Sequence, residues 1–239
     1  AVHQGFLRRA KAAGATLVTD AEVLRLERVG GVWRAEPRVG RFAAPILVNA
    51  AGAWCDVVAG MAGVGRIGLV PKRRTAFTID LPDGMHAAAW PLVNDVGGEF
   101  YFKPDAGRLF VSPADETPSE PTDAQPEDID VAIGADRLMR ATTIEVRRIS
   151  RKWAGLRSFV ADGSPVCGFD AKAPGFFWLA GQGGYGIKTA PALARAAAAL
   201  IDDARLPADM AQQGLTEDEL SPLRVARSES QCTTMKAAS

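Results

Sequence analysis

The sequence predicts an α/β fold with a small antiparallel sheet inserted into it, and three observations carry that expectation. Residues 176 to 203 read as a strand, a tight glycine loop and an alanine-rich helix. A second apolar run, Ala43 to Asn49, fits a buried strand and ends in the small residues Ala50, Ala51 and Gly52. Between them, residues 69 to 112 break into short strand-like segments separated by turn residues, the pattern of an antiparallel meander.

Taken in order, Val2, Phe6, Leu7, Ala10 and Ala13 recur at helical spacing, and Gly14 stands where a helix would stop. Ala15 to Thr19 reads as a strand, and so does Ala21 to Val29. Gly30-Gly31 is a hairpin signal, with Val32 to Ala35 as the return strand. Trp54 to Ala62 reads as a helix closed by Gly63. Leu69 to Ile79, Ala87 to Val93, Glu99 to Lys103 and Arg108 to Ser112 supply the meander. Pro113 to Asp130, acidic and rich in proline, reads as a surface loop. Val131 to Thr142 reads as a helix, and Ile144 to Phe159 as strand broken at Gly155.

The most informative stretch is Phe176 to Ile201. Phe176 to Ala180 is apolar enough for a buried strand. Gly181, Gly183, Gly184 and Gly186 let the backbone turn sharply and lie against a flat ligand. Ala and Leu then favour a helix, with Pro191 near its start. Such a turn aims free N–H groups and a positive dipole end at one point. Gly181-x-Gly183-x-x-Gly186 matches the dinucleotide fingerprint as a pattern, but Asp202-Asp203 is followed by no β-branched run for a second parallel strand. A self-contained nicotinamide site is therefore not expected, and a glycine turn that only packs a helix on a sheet remains open.

Composition narrows the function. The chain has 239 residues, 47% hydrophobic, with 28 basic and 28 acidic side chains. That balance, without a long basic run, argues against a nucleic-acid partner. No stretch approaches the ~20 apolar residues of a membrane-spanning helix. Cys55, Cys167 and Cys232 show no metal spacing and suggest a reducing compartment, hence a cytoplasmic location. With only His3 and His86 present, a histidine metal cluster or triad is not expected.

Three segments together resemble a known family. Val48-Asn49-Ala50-Ala51-Gly52-Ala53-Trp54, Trp153-Ala154-Gly155-Leu156-Arg157-Ser158 and Ala180-Gly181-Gln182-Gly183-Gly184-Tyr185-Gly186-Ile187 look like the flavin-dependent amine and amino-acid oxidoreductases related to D-amino-acid oxidase. Within that group the likeness is strongest to bacterial D-arginine dehydrogenases, and it reaches about Arg224. The resemblance implies FAD as cofactor, an amino acid as small-molecule substrate, an electron acceptor the sequence does not specify, and no metal. It implies an incomplete FAD-binding α/β layer, residues 1–66 and 153–224, with a substrate-binding antiparallel sheet inserted at 67–152 and a disordered tail at 225–239. Relatives begin with a GxGxxG unit for the ADP part of FAD, so about 150 residues are expected ahead of Ala1.

The same resemblance assigns residues. Arg157 would bind the substrate carboxylate by two parallel hydrogen bonds, sharing it with Arg74 and the Tyr101 hydroxyl; a slip of one residue in register would exchange Arg73 for Arg74. Gly184 would offer its carbonyl to the substrate amine. The Val23 backbone would hold the adenine, and Ala51, Gly52 and Trp54 would lie beside the flavin or its pyrophosphate. Gly183, Gly184, Tyr185, Gly186 and Ile187 would wrap the flavin ring. Lys188 stands where relatives usually have Gln, and would add positive charge near the flavin or face solvent. No general base is implied, because the protein mainly positions and desolvates the substrate. Two alternatives stay open: a glycine- or sarcosine-oxidase-like amine oxidase, and a non-catalytic fragment that binds no flavin alone.

Overall fold

The computed structural model describes residues 2–82 and 84–225. Helix α1 (Val2–Ala12) buries none of its residues and ends before Gly14, whose φ of +91° a side chain would resist. The strand expected at Ala15 to Thr19 does not form. Those residues are exposed and, among the described residues, have no ladder partner to take up their backbone groups. Strands β1 (Val23–Val29) and β2 (Val32–Pro37) make the hairpin across Gly30 and Gly31, both at positive φ. The run expected as one strand from Ala43 to Asn49 is two. β3 (Phe42–Ala44) pairs with β2, whereas β4 (Leu47–Asn49) joins a different sheet. Pro45 falls between them and cannot donate to a ladder, so the chain changes sheet there.

After β4 come a single turn, η1 (Gly52–Trp54), and helix α2 (Cys55–Met61). The buried Asn49 sets this corner by donating from Nδ2 to the Cys55 carbonyl at 2.8 Å. Asp56 then accepts from the Ile67 and Leu69 N–H groups at 3.1 and 2.9 Å, leading the chain into the inserted sheet.

That sheet contains β5 (Val70–Ile79), β6 (Val93–Asn94), β7 (Tyr101–Asp105), β8 (Arg108–Ser112), β9 (Thr117–Pro118) and β10 (Ile149–Phe159). Its order is β10-β5-β8-β7-β6, with β9 also on β5, and every pairing is antiparallel. Gly155 does not break β10. It pairs directly with Arg74, and the only shift in that ladder lies between Ile149 and Arg151. Residues 87 to 92 form turns rather than a strand. Helix α3 (Asp128–Ala141) begins three residues earlier than the sequence suggests and buries Val131, Gly134 and Leu138 against Phe77, Leu109 and Val111. Gly134 permits that approach, since a Cβ there would lie 2.8 Å from the Phe77 ring. The boundary expected between 152 and 153 lies inside β10, which pairs with β5 along its length.

The third sheet has the order β11 (Val166–Phe169), β12 (Phe176–Ala180), β4. β12 runs antiparallel to β11 and parallel to β4, with Phe177 opposite Val48 and Trp178 opposite Asn49. It is buried on both faces, as its unbroken apolar run requires. Phe176 and Trp178 pack with Trp33, Cys55 and Ala59 on one side. Phe177 packs with Ala196, Ala197 and Leu200 of α4 (Gly186–Asp202) and Met210 of α5 (Ala208–Gln212) on the other, and Leu220 of α6 (Glu217–Leu220) closes that side. Each of the three aromatic side chains contributes roughly 1.5–3 kcal/mol by burial. Val225, the first position of the expected tail, is buried in the core, and residues 226–239 lie outside the described residues.

Candidate active site

Alternation along β5 and β10 divides their side chains between two faces of the sheet. Arg73, Thr75 and Phe77 face α3. Arg73 lies there between Glu127 and Asp130 of the helix segment, its Nη2 donating to Asp130 at 2.9 Å, and it also pairs with Glu127. Lys72 and Arg74 face the opposite way, together with Trp153 and Arg157 of β10 and, through the β8 and β7 ladders, Phe110 and Tyr101. Arg74, not Arg73, therefore shares a face with Arg157 and Tyr101.

On this open face the Arg157 Nη2 donates to the Tyr101 hydroxyl at 3.5 Å. The Tyr101 ring is held by stacking on Phe110, 5.9 Å between centroids, and Phe110 meets Trp153 edge-on at 5.6 Å. Arg157 is half-buried and, among the described residues, has no ion pair. A guanidinium that shares only a long contact with a neutral hydroxyl keeps donors for an incoming carboxylate.

Arg74 is brought to the face but not to Arg157. Its Nη2 donates to Glu116 at 2.9 Å, and Glu116 also accepts from Lys72 at 3.0 Å. The hydrogen bond from Lys72, reinforced by the charges of Lys72, Arg74 and Arg157, holds the Glu116 carboxyl below the usual carboxylate range against the opposing effect of burial. Glu116 and Lys72 were not singled out from the sequence. Glu116 sits in an acidic, proline-rich stretch that reads as a solvated loop, and only the alternation Lys72-Arg73-Arg74 hints at a second inward cation.

The glycine loop touches this face. Gly183 donates to the Ser158 carbonyl at 2.9 Å. Gly183 has φ +52°, and a Cβ there would lie 2.6 Å from the Phe159 ring. A Cβ on Gly184 would lie 3.1 Å from the Arg157 Nη1. Gly186 opens the 17-residue helix α4, whose first turn carries no acidic residue. The N–H groups of Gly186, Ile187 and Lys188 stand in the first turn, where a helix has no internal acceptors. Ile187 is 84% exposed, and Tyr185 is also exposed, with the Lys188 Nζ 5.3 Å from its ring centroid.

Ala51, Gly52 and Trp54 follow β4, and the glycine loop follows β12. Because the two strands are parallel neighbours, both turns emerge from the same end of the sheet, where open α/β sheets bind ligands. Trp54 is exposed and Gly52 has φ +59°. Val23 opens β1 and is half-buried there; among the described residues no hydrogen bond or ring contact joins its side chain to the glycine loop. The loop, the free helix start and the small-residue turn fit a flat, anionic cofactor.

Residues 1–200 match the family model described as DAO, FAD dependent oxidoreductase. The chain belongs to this family. The family is described as one of FAD-dependent oxidoreductases. It is 27% identical over 172 residues to the FAD-dependent oxidoreductase domain-containing protein 1 of Bos taurus, covering 65% of this chain and 35% of that protein. The Xenopus laevis protein of the same description is 25% identical over 174 residues, covering 66% and 35%. The chain thus spans about a third of the length of the curated relatives it matches. Among solved structures, L-proline dehydrogenase from P.horikoshii superposes with a TM-score of 0.77 at 23% identity, covering 94% of this chain and 59% of that one. Glycine oxidase from Geobacillus kaustophilus gives 0.68 at 24%, covering 81% and 51%. These likenesses place the mixed α/β architecture among DAO-like folds. Among the described residues no helix is long and apolar enough to cross a membrane.

Proposed function

We propose that this chain carries the substrate-facing part of an FAD-dependent enzyme that oxidatively deaminates D-amino acids, similar to the D-arginine dehydrogenases. The observation that carries the reading is the Arg157–Tyr101 pair, open to one face of a sheet and set against Gly184 of the loop that fits the cofactor. Arg157 with Tyr101 holds the α-carboxylate, Arg74 adds a further cation on the same face, and the Gly184 carbonyl meets the amine. Gly183 to Lys188, with Ala51, Gly52 and Trp54 at the same sheet end, hold FAD. We assign the FAD-binding part to the sheet β11-β12-β4 and its helices, and the substrate-binding part to the six-stranded sheet. Val23 is kept as an adenine-side contact on the resemblance alone.

When bound, FAD supplies the acceptor for a hydride from the substrate Cα. The protein's own work is positional. Fixing the carboxylate leaves the Cα–H one orientation, and the aromatic wall of Tyr101, Phe110 and Trp153 excludes water from that side. The amine loses a proton from nitrogen and a hydride from Cα, and water then hydrolyses the imine to a 2-oxo acid and ammonia. Cys55 and Cys167 are buried free thiols, their pKa values raised to about 11 and about 12 by burial. Unpaired thiols suit a reducing compartment, which favours the cytoplasm.

The test is to incubate the protein with FAD, desalt, and mix it anaerobically with a panel of D- and L-amino acids, glycine and sarcosine. Bleaching of retained flavin by D-amino acids, with a 2-oxo acid released, supports the reading. Bleaching by glycine or sarcosine alone replaces it with an amine-oxidase reading. A protein that retains no flavin leaves only the fragment reading.

A further inference from the structure

Three cations, Lys72, Arg74 and Arg157, act on the Glu116 carboxylate. Lys72 and Arg74 both bond Glu116, and Arg157 stands directly across the ladder from Lys72. Glu116 balances one of the three positive charges and leaves two in excess. The Arg74 side chain is only 12% exposed, and its Nε is buried with no hydrogen-bond acceptor among the described residues. An enclosed guanidinium with an unmet donor favours a further anion beside it.

The floor between these cations is open. The residue opposite Arg74 is Gly155, and a Cβ there would meet nothing within 4 Å. Arg74 and Arg157 are diagonal neighbours across the two strands, about 7–8 Å apart in such a pairing with their Cβ atoms somewhat closer. A ligand lying over Gly155 can reach both.

We infer that this face selects an acidic amino acid, its α-carboxylate on Arg157 and Tyr101 and its side-chain carboxylate on Arg74 and Lys72. The inference rests on the proposed role of Arg157 as the α-carboxylate anchor. Glu116 gives up Arg74 to the incoming group and keeps Lys72. Two carboxylates neutralise the two charges that Glu116 leaves in excess. A cationic side chain, as the likeness to D-arginine dehydrogenases would imply, meets like charge at the same place.

D-Glutamate and D-glutamine differ in one charge and little in shape, so isothermal titration of the 239-residue chain with each, in the presence of FAD and at equal ionic strength, reads the inference directly. D-Glutamate is expected to bind about tenfold more tightly. Arg74→Gln should collapse that ratio, whereas Arg157→Met should weaken both ligands. Equal affinity for the two, or tighter binding of D-arginine, overturns the inference; if Arg157→Met still weakens binding, the anchor reading stands. Binding of none of the three overturns both. The ratio in the unaltered chain decides without any variant, so a misfolded Arg74→Gln protein does not obscure the answer.

Discussion

The Arg157 guanidinium lies 3.5 Å from the Tyr101 hydroxyl although 56 positions separate the two residues. Only the antiparallel ladders running β10, β5, β8 and β7 bring them together. Both side chains emerge on the face opposite α3, so neither is consumed by the core. This placement leaves both side chains on the face where the proposed ligand would lie.

Gly183 and Gly184 separate folding from binding. At Gly183 an added Cβ meets the Phe159 ring at 2.6 Å and the backbone sits at φ +52°. Gly183→Ala is expected to cost about 1–3 kcal/mol by denaturant unfolding and to abolish FAD retention. At Gly184 the atoms nearest the Cβ all belong to the Arg157 side chain, Nη1 nearest at 3.1 Å, and φ is not positive. Gly184→Ala should keep its unfolding midpoint while losing affinity for a carboxylate ligand.

Lys188 offers an electrostatic test. Its Nζ sits 5.3 Å from the Tyr185 ring centroid, which keeps the charge beside the glycine loop. Lys188→Gln is expected to lower the flavin midpoint potential, because a nearby cation favours the more negative, reduced cofactor. An unchanged potential in spectroelectrochemical titration would show that the charge faces solvent.

Arg224 joins the end of the described chain to the turn before β11. Its Nε donates to Asp162 at 2.7 Å, and its Nη2 donates to the Ser164 and Pro165 carbonyls at 2.6 and 3.1 Å. Arg224→Ala should cost about 2 kcal/mol, read as a loss of roughly 4–8 °C in Tm. The Arg224 hydrogen bond holds the Asp162 carboxyl below the usual carboxylate range. A depressed carboxylate contributes fully above its unfolded pKa and loses that contribution as pH falls through the folded one. The gap between wild type and variant should therefore be constant near neutrality and narrow in acid.

What the sequence makes legible follows from range. The unit from Phe176 to Asp202 is local, with an apolar strand, glycines and strong helix formers in succession, and it is found where its residues predict. The split of Ala43 to Asn49 is also local in cause, since Pro45 ends a ladder, although an apolar run by itself hides it. The choice between Arg73 and Arg74 is not local. Each is a cation on one strand, and only pairing with β10 shows that Arg73 answers to Glu127, just before α3, and Asp130 on it, while Arg74 shares a face with Arg157. The continuity of β10 through Gly155 has the same origin, because flanking pairs hold a residue that looks like a break. Glu116 escaped because acidic and proline-rich composition describes a loop without saying what the loop touches.

The most direct test of the account is the affinity of FAD-loaded protein for D-alanine, compared between wild type and Arg157→Met by anaerobic flavin bleaching. D-Alanine carries the α-carboxylate and no side-chain charge, so it reports the anchor alone. The account predicts that the variant retains flavin and that the concentration giving half-maximal bleaching rises about 30- to 100-fold. Equal bleaching at equal D-alanine concentration in the two proteins would contradict it.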